Sequence, residues 1–251
     1  MKKILQISMM LVVMSILSIA STRGDVKVIE ASENIRYLSQ KIVKDYLYYT
    51  LHPKKELQQS LHKGLVSLSD DLRIIATTTK DSDTKDILEF LAYSKDQIEE
   101  IVKDKTSMEN SALMLDYSET LLEGADSIAM AHKYEFSRGE QMLMVAKKVN
   151  YLLERVMKYY MAIYAGYNTP TNYEQMNIAL GEIEENLITL NNYNYPKNIV
   201  VVQNSMNEAW NANKNYFKQS NVLFIPKLMI LSVNYMENLV NELEIYHSKN
   251  Q

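Results

Sequence analysis

The sequence has 251 residues, a length that fits one large domain or two of medium size. Hydrophobic residues make up 47% of it, which excludes a disordered chain, and the presence of only 6 Gly and 4 Pro favours helices over turn-rich β structure. A formal net charge of −4 excludes a general attraction to nucleic acid, and 0 Cys excludes disulfides, c-type haem attachment and thiolate zinc sites, so we expect no cofactor.

Residues 1–20 have the pattern of a secretory signal peptide. Lys2 and Lys3 precede an uncharged apolar run, and small residues stand at positions 18 and 20, as signal peptidase requires. We predict cleavage after Ala20 and a periplasmic mature chain, whose formal charge changes from −4 to −6 with the loss of the two lysines. An uncleaved anchor is the alternative, because the apolar run is only just shorter than a membrane span. No later segment approaches that length, so we expect no span in the mature chain.

From residue 24 onward, apolar residues recur at steps of three and four, the period of amphipathic helices. The period and its interruptions predict eight helices, at about 25–51, 54–78, 82–105, 107–135, 139–165, 171–192, 197–219 and 223–247. All four prolines fall at or near a helix start, where the missing N–H is tolerated, and Asp81 or Asp83 can cap the third helix. Between 107 and 165 the only break is at Ser137-Arg138-Gly139, so one continuous helix there stays open.

The eight helices fall into two similar sets of four. Tyr37–Leu47 aligns with Tyr151–Met161 at an offset of 114, and Tyr117–Leu122 aligns with Tyr235–Val240 at an offset of 118. Between these segments, apolar positions of the second and third helices align at an offset of 115, among them Leu61, Leu65, Leu68, Leu72 and Ile75 with Met176, Leu180, Ile183, Leu187 and Leu190. Because short links make consecutive helices antiparallel, we predict an all-α protein. Its architecture would be two tandem antiparallel four-helix bundles from an internal duplication, residues 21–135 and 136–251, either separate or sharing a long central helix.

The first helix carries the motif Asn34-Ile35-Arg36-Tyr37-Leu38-Ser39-Gln40-Lys41-Ile42-Val43-Lys44. It resembles the segment R-Q-R-M-L-S-Q-R-M-A-K, which marks the N-terminal PilJ-type domain of type IV pili methyl-accepting chemotaxis transducers, a relative of the sensor bundle of nitrate/nitrite sensor kinases. Tyr117–Leu122 resembles the last helix of that family, and Phe224–Leu228 resembles a segment near the end of free-standing members with two repeats. The second repeat departs further from the motif and keeps its charge only at Arg155 and Lys158.

The resemblance implies a sensory helical bundle, and in the nitrate sensors an Arg of this helix from each of two subunits binds one anion. A duplication would bring the two copies of the helix together within one chain. The planar paired donors of Arg match the oxygens of nitrate, nitrite or a carboxylate. We therefore predict a small-anion site at Arg36, Ser39, Gln40, Lys41, Asn150 and Arg155. The alternative is that these side chains are solvated charges beside a buried stripe.

Other chemical patterns are weaker. Glu244 and His247 have the E-x-x-H spacing of di-iron bundles, but such sites need the motif twice. Phosphate-binding loops and hydrolase motifs are absent from the sequence, so we do not predict an enzyme. We predict a periplasmic sensory or ligand-binding protein that reports to a membrane receptor or kinase. The alternative is a structural scaffold protein of the cell envelope without a small-molecule ligand, and a homodimer stays open in either case.

Overall fold

The structure is a computed structural model that describes residues 2–132, 134–219 and 224–250, with side chains from residue 24 onward. Over these residues the chain forms eight α-helices and no strand, which confirms the all-α class. The helices are α1 (Lys2–Leu51), α2 (Lys55–Thr78), α3 (Ser82–Lys103), α4 (Met108–Ala131), α5 (Arg138–Tyr164), α6 (Pro170–Asn191), α7 (Lys197–Lys218) and α8 (Pro226–Lys249). Apart from the start of α1 and the end of α4, the predicted helix ends lie close to these bounds.

Helix α1 begins within the predicted signal peptide and continues unbroken to Leu51. The side chains of residues 1–20 lie outside those that the structure describes, so cleavage after Ala20 stays a prediction. In the described part of the chain, none of the helices combines the length and the apolar character needed to cross a membrane.

Local hydrogen bonds explain where several helices begin. The Asp81 carboxylate accepts from the backbone N–H of Thr84 at 2.7 Å, which confirms the predicted cap of α3. At the start of α5, Ser137 and Glu140 form a capping box, in which each side chain accepts from the backbone N–H of the other residue. Pro170 occupies the first turn of α6, where its missing N–H leaves no hydrogen bond unmade.

Helices α4 and α5 are separate. Helix α4 ends at Ala131, short of the predicted position 135, and α5 starts at Arg138 after the Ser137 cap. The capping box provides hydrogen-bond acceptors for N–H groups at the start of α5, so α5 begins there as a new helix and does not continue from α4. The alternative of one long helix shared by the two bundles is therefore wrong.

The helices pack as two four-helix bundles. In the first bundle α1 to α4 contact one another in sequence and α4 closes against α1, and in the second α5 to α8 repeat this arrangement. The bundles meet where α1 packs against α5. These two helices run parallel, because their mutual contacts follow the same order along both. We call the contact between residues 33–45 of α1 and residues 147–159 of α5 the seam.

Helix α5 is enclosed on every side in the region of the seam. All residues from Val149 to Ile163 are buried, including the charged residues Glu154, Arg155 and Lys158. The cause is that α5 packs against α1 of the other bundle as well as against α6 and α8 of its own. The alternative of a solvated flank charge is therefore wrong for Arg155, the one of these three residues for which it was considered.

Several observations agree with the predicted duplication, which itself stays a prediction. Side chains that hydrogen-bond across the seam are 110 to 115 positions apart, close to the offset of 114 in the alignment. The aligned apolar positions of α2 and α6 are buried in both helices, namely Leu61, Leu65, Leu68, Leu72 and Ile75 with Met176, Leu180, Ile183, Leu187 and Leu190. The later helices agree less well, since Tyr216 is exposed where its counterpart Ile101 is buried.

Two glycines stand in contrasting surroundings. At Gly124 of α4, a Cβ would overlap the buried side chain of Leu91 on α3, so this glycine permits the close approach of the two helices. At Gly181 of α6, a Cβ would have no neighbour within 4 Å.

Candidate functional site

All six predicted site residues lie on the seam, four on α1 and two on α5. The Gln40 side chain donates to the Ser39 hydroxyl at 2.9 Å, and its oxygen accepts from Arg155 Nη1 at 3.4 Å. The Arg36 guanidinium lies over the ring of Tyr151, 4.6 Å from its centroid. The paired helices of the two repeats thus bring the predicted residues into one region, but each cation there also has acidic neighbours that the sequence analysis did not identify.

The first group of these neighbours surrounds Glu154, whose side chain is 0% exposed. A carboxylate oxygen of Glu154 lies 3.1 Å from Lys41 Nζ and one lies 2.8 Å from Lys44 Nζ, and Lys44 also contacts Asp45 at 3.3 Å. Burial alone would raise the pKa of the Glu154 carboxyl, but the two ammonium groups outweigh it and hold this pKa below its ordinary value. Glu154 is therefore an ionised carboxylate inside the protein, kept so by two lysines of the other bundle.

Glu237 of α8 lies beside Glu154 in the same buried region. Burial, followed by the negative charge of Glu154, raises the pKa of Glu237 to about 8. Oε1 of Glu237 is buried without a hydrogen-bond partner, and Oε2 of Glu154 has the ion pair with Lys44 but no well-aligned hydrogen bond. A proton on Glu237 would supply the missing donor between them, so the pair is satisfied when Glu237 is neutral.

A second ionic group forms around Glu119 of α4. Arg155 donates to both oxygens of this carboxylate, at 3.0 and 2.9 Å, and to Gln175 at 2.8 Å. The fully buried ammonium of Lys158 also bonds Glu119 and donates to Ser118 at 2.9 Å. Burial would raise the pKa of Glu119, but Lys158 and Arg155 lower it to about 2. The pKa of Lys158 falls to about 8, because burial outweighs the attraction of Glu119.

The two ionic groups are arranged reciprocally. In the predicted register, Lys41 and Lys44 of α1 correspond to Arg155 and Lys158 of α5, and Glu119 of α4 corresponds to Glu237 of α8. In each group, cations from the first helix of one bundle face acids of the other bundle.

The two groups differ in their number of acids. Gln40 is neutral where its counterpart Glu154 is charged, so the Glu119 group has one acid and the Glu154 group has more. Burial raises the pKa of both corresponding carboxyls, but two cations bond Glu119, whereas the charge of Glu154 adds to burial at Glu237, so the two pKa values are displaced in opposite directions.

Arg36 has acidic neighbours within its own bundle. Its Nη1 donates to Glu33 Oε1 at 2.8 Å, and its Nε lies 2.7 Å from Asp126 Oδ1. Lys41 and Arg155 are likewise faced by Glu154 and Glu119. An anion would therefore have to displace a carboxylate from any of the three predicted cations, which argues against the nitrate-like site.

Asn150 differs from the other predicted residues because it borders a cavity. Its Nδ2 donates to Asn241 Oδ1 at 2.8 Å and to Glu244 Oε1 at 2.6 Å. These side chains belong to a space of about 240 Å³ between α1, α5 and α8, which we call the polar cleft. It is lined by Glu33, Asn34, Tyr37, Lys147, Asn150, Asn241 and Glu244.

The E-x-x-H pair does not form a metal centre. Glu244 lines the polar cleft, whereas His247 is buried and its Nε2 lies 2.8 Å from the hydroxyl of Tyr195. Over residues 2–132, 134–219 and 224–250, no group of three or more His, Asp or Glu side chains is arranged to hold a metal ion.

The acids at and beside the seam, Glu33, Glu119, Glu154 and Glu237, were not predicted from the sequence. A usable signal was present in the repeat alignment, because Lys44 and Lys158 correspond within it and stand among apolar neighbours. A charge kept at the same place in two apolar helices indicates a buried partner.

Comparison with known proteins adds no assignment, since the sequence matches no family model, no curated protein and no solved structure. The resemblance to the PilJ-type domain therefore stays a prediction that rests on the residues of α1, α4 and the start of α8.

Proposed function

We propose that this chain is an exported, non-enzymatic sensory protein of the periplasm that binds a small molecule in the polar cleft and reports binding to a membrane receptor or kinase. One observation carries the proposal: the cleft is lined by side chains from both bundles, Glu33, Asn34 and Tyr37 from α1 and the rest from α5 and α8. A ligand there would contact both bundles at once. Its binding energy would therefore depend on how the bundles are held together, which is what a sensor requires.

The absence of catalysis is part of the proposal, and the use of the charged groups supports it. Among the strongly shifted groups at and beside the seam, Glu119, Glu154 and Lys158 are each bonded to an opposite charge, and Glu237 lies against the charged Glu154. Their pKa shifts follow from burial and from these partners. Shifted groups of this kind hold elements together as readily as they catalyse reactions.

A scaffold protein without a ligand is the second candidate, and the surface of α3 favours it. Phe90 and Tyr93 are large aromatic side chains that are 69% and 57% exposed. Exposed aromatic residues are common at contacts between proteins. This candidate predicts that no small molecule stabilises the chain.

Thermal unfolding of the purified exported protein separates the two candidates. The protein would be heated with sodium nitrate, sodium nitrite, sodium acetate, methylammonium chloride or methylguanidinium chloride, at constant ionic strength. A ligand at 100 times its dissociation constant should add ~2.7 kcal/mol to the free energy of unfolding. A rise in unfolding temperature that is lost in Asn150→Ala supports the sensory proposal. If none of the five compounds raises the unfolding temperature above that in sodium chloride, the proposal is wrong and the scaffold candidate is favoured.

A further inference from the structure

The lining of the polar cleft is rich in hydrogen-bond acceptors. Glu33 and Asn150 are only 8% and 7% exposed, and each has one buried oxygen, Oε2 and Oδ1 respectively, that no donor reaches. Glu244 adds a second carboxylate, whose Oε1 accepts from Asn150. An unpartnered oxygen in a buried position is costly, so the site lacks donors rather than acceptors.

Lys147 is the one cation among the residues that line the cleft, while Arg36 bonds Glu33 and Lys41 lies 5.8 Å from the centroid of the Tyr37 ring. Lys147 Nζ lies 4.0 Å from Glu244 Oε2 and 3.4 Å from Asn34 Oδ1. Glu33 bonds Arg36 at 2.8 Å through Oε1, whereas the ion pair that the described residues give Glu244 is this 4.0 Å contact with Lys147. Burial is the largest influence on both acids and raises the pKa of each, as expected for carboxylates whose charge is incompletely balanced.

The other half of the molecule shows what fills the corresponding place. In the register of the repeat, Arg36 corresponds to Asn150, Tyr151 to Tyr37, and Asp126 to Glu244. The Arg36 guanidinium stacks on the Tyr151 ring, 4.6 Å from its centroid, and contacts Asp126 at 2.7 Å. It also bonds Oε1 of Glu33, the residue whose Oε2 is without a partner.

At the cleft, the shorter Asn150 leaves open the space that an arginine fills in the first half. The tyrosine and the carboxylate of that arrangement are both kept, as Tyr37 and Glu244. A space of about 240 Å³ is smaller than the ~300–1,000 Å³ of pockets for drug-sized ligands. It therefore suits a small molecule or a single cationic head group.

We propose that the polar cleft binds a small organic cation whose N–H donors belong to a guanidinium or alkylammonium group. The cation would stack on Tyr37 and donate to Glu244, Glu33 and Asn150, as Arg36 does to its own neighbours. This inference rests on the proposed function and names the class of ligand. It replaces the anion that the resemblance implied.

Isothermal titration calorimetry of the full exported protein tests the inference. The titrants are methylguanidinium chloride and methylammonium chloride, with sodium chloride and sodium nitrate as references at equal ionic strength. We expect saturable binding of a cation by the wild type, and a loss of affinity of about tenfold or more in Glu244→Gln, since a charged hydrogen bond is removed. Glu242→Gln, an exposed acid on the same helix, is the matched control and should keep wild-type affinity.

Asn150→Arg is the second variant, because its side chain can occupy the cleft as Arg36 occupies the corresponding place. We expect it to unfold at a higher temperature than the wild type and to bind neither cation. If Asn150→Arg does not fold, the affinity of Glu244→Gln for the two cations alone tests the inference.

The outcomes separate this inference from the proposed function. Binding of nitrate but of neither cation would overturn the cationic ligand and leave a sensory role standing. Binding of no titrant would overturn both. Cation binding that is unchanged in Glu244→Gln would place the ligand elsewhere and overturn the inference.

Discussion

Glu237→Gln is the most informative change beside the seam, because it removes one ionisable group and keeps the shape of the side chain. The folded-state pKa of Glu237 is about 8, against an ordinary value of 4.5. Between these values the folded protein holds a proton that the unfolded chain has released. The stability contributed by this group is therefore fully present below pH 4.5 and is lost as the pH rises to about 8.

The size of the loss follows from the two values. At 1.36 kcal/mol per pH unit, the interval from 4.5 to about 8 corresponds to ~5 kcal/mol of unfolding free energy. Glutamine is neutral at every pH, and its amide can donate to Glu154 as the protonated acid does. We expect the free energy of unfolding of Glu237→Gln to lie within ~1 kcal/mol of the wild-type value at pH 5 and to exceed it by ~3–5 kcal/mol at pH 8.5.

Urea unfolding at intervals from pH 5 to pH 8.5 measures this difference, and an unchanged urea m value would show that both proteins expose the same surface on unfolding. Glu242→Gln, an exposed acid of α8, should follow the wild type at every pH. Burial also raises the pKa values of Glu33 and Asp71, the latter to about 6, so a smaller fall with pH should remain in the variant. A variant whose stability falls as steeply as that of the wild type would refute the assignment of the proton to Glu237.

Three further predictions concern stability and processing. Lys44→Met should lower the free energy of unfolding by about 3–5 kcal/mol at pH 7, because Glu154 loses a partner. Lys158→Met should lower it by less than ~1 kcal/mol, because burial already disfavours that ammonium group. Equal losses for the two variants in urea unfolding would contradict this prediction. Gly124→Ala should lower the free energy of unfolding by ~1–3 kcal/mol because it overpacks α3 against α4, whereas Gly181→Ala should raise it by ~0.5–1 kcal/mol. The prediction is wrong if urea unfolding shows both variants to be stabilised or both to be destabilised. Mass spectrometry of the exported protein should find Ser21 at its N-terminus, and an intact Met1 would indicate the uncleaved anchor.

The helices and their ends were predictable because their causes are local. The three- and four-residue period of apolar side chains set the elements, and Asp81 marked the start of α3. The end of α4 was predicted too late, because no Gly or Pro follows Ala131 before Gly139 to mark it in the sequence. Each of these features depends on residues only a few positions apart.

The surroundings of the seam were not predictable in the same way. An apolar stripe indicates that a helix buries one face. It does not show whether a second bundle also covers the opposite face, as the first bundle does along α5. All six predicted site residues lie on the paired helices α1 and α5, whereas the acids around them, Glu119, Glu154 and Glu237, were not predicted. Lys41 and Glu154 are 113 positions apart, and no local rule connects them.

The exchange of charges between the bundles makes each one depend on its neighbour. Division of the chain between Ala131 and Arg138 would leave Lys44 without Glu154 in one fragment and Lys158 without Glu119 in the other. Because stranding a buried charge is strongly destabilising, neither fragment would be an autonomous folding unit, and the intact chain would melt cooperatively. The two bundles would thus depend on each other as the subunits of an obligate dimer do, although both belong to one polypeptide.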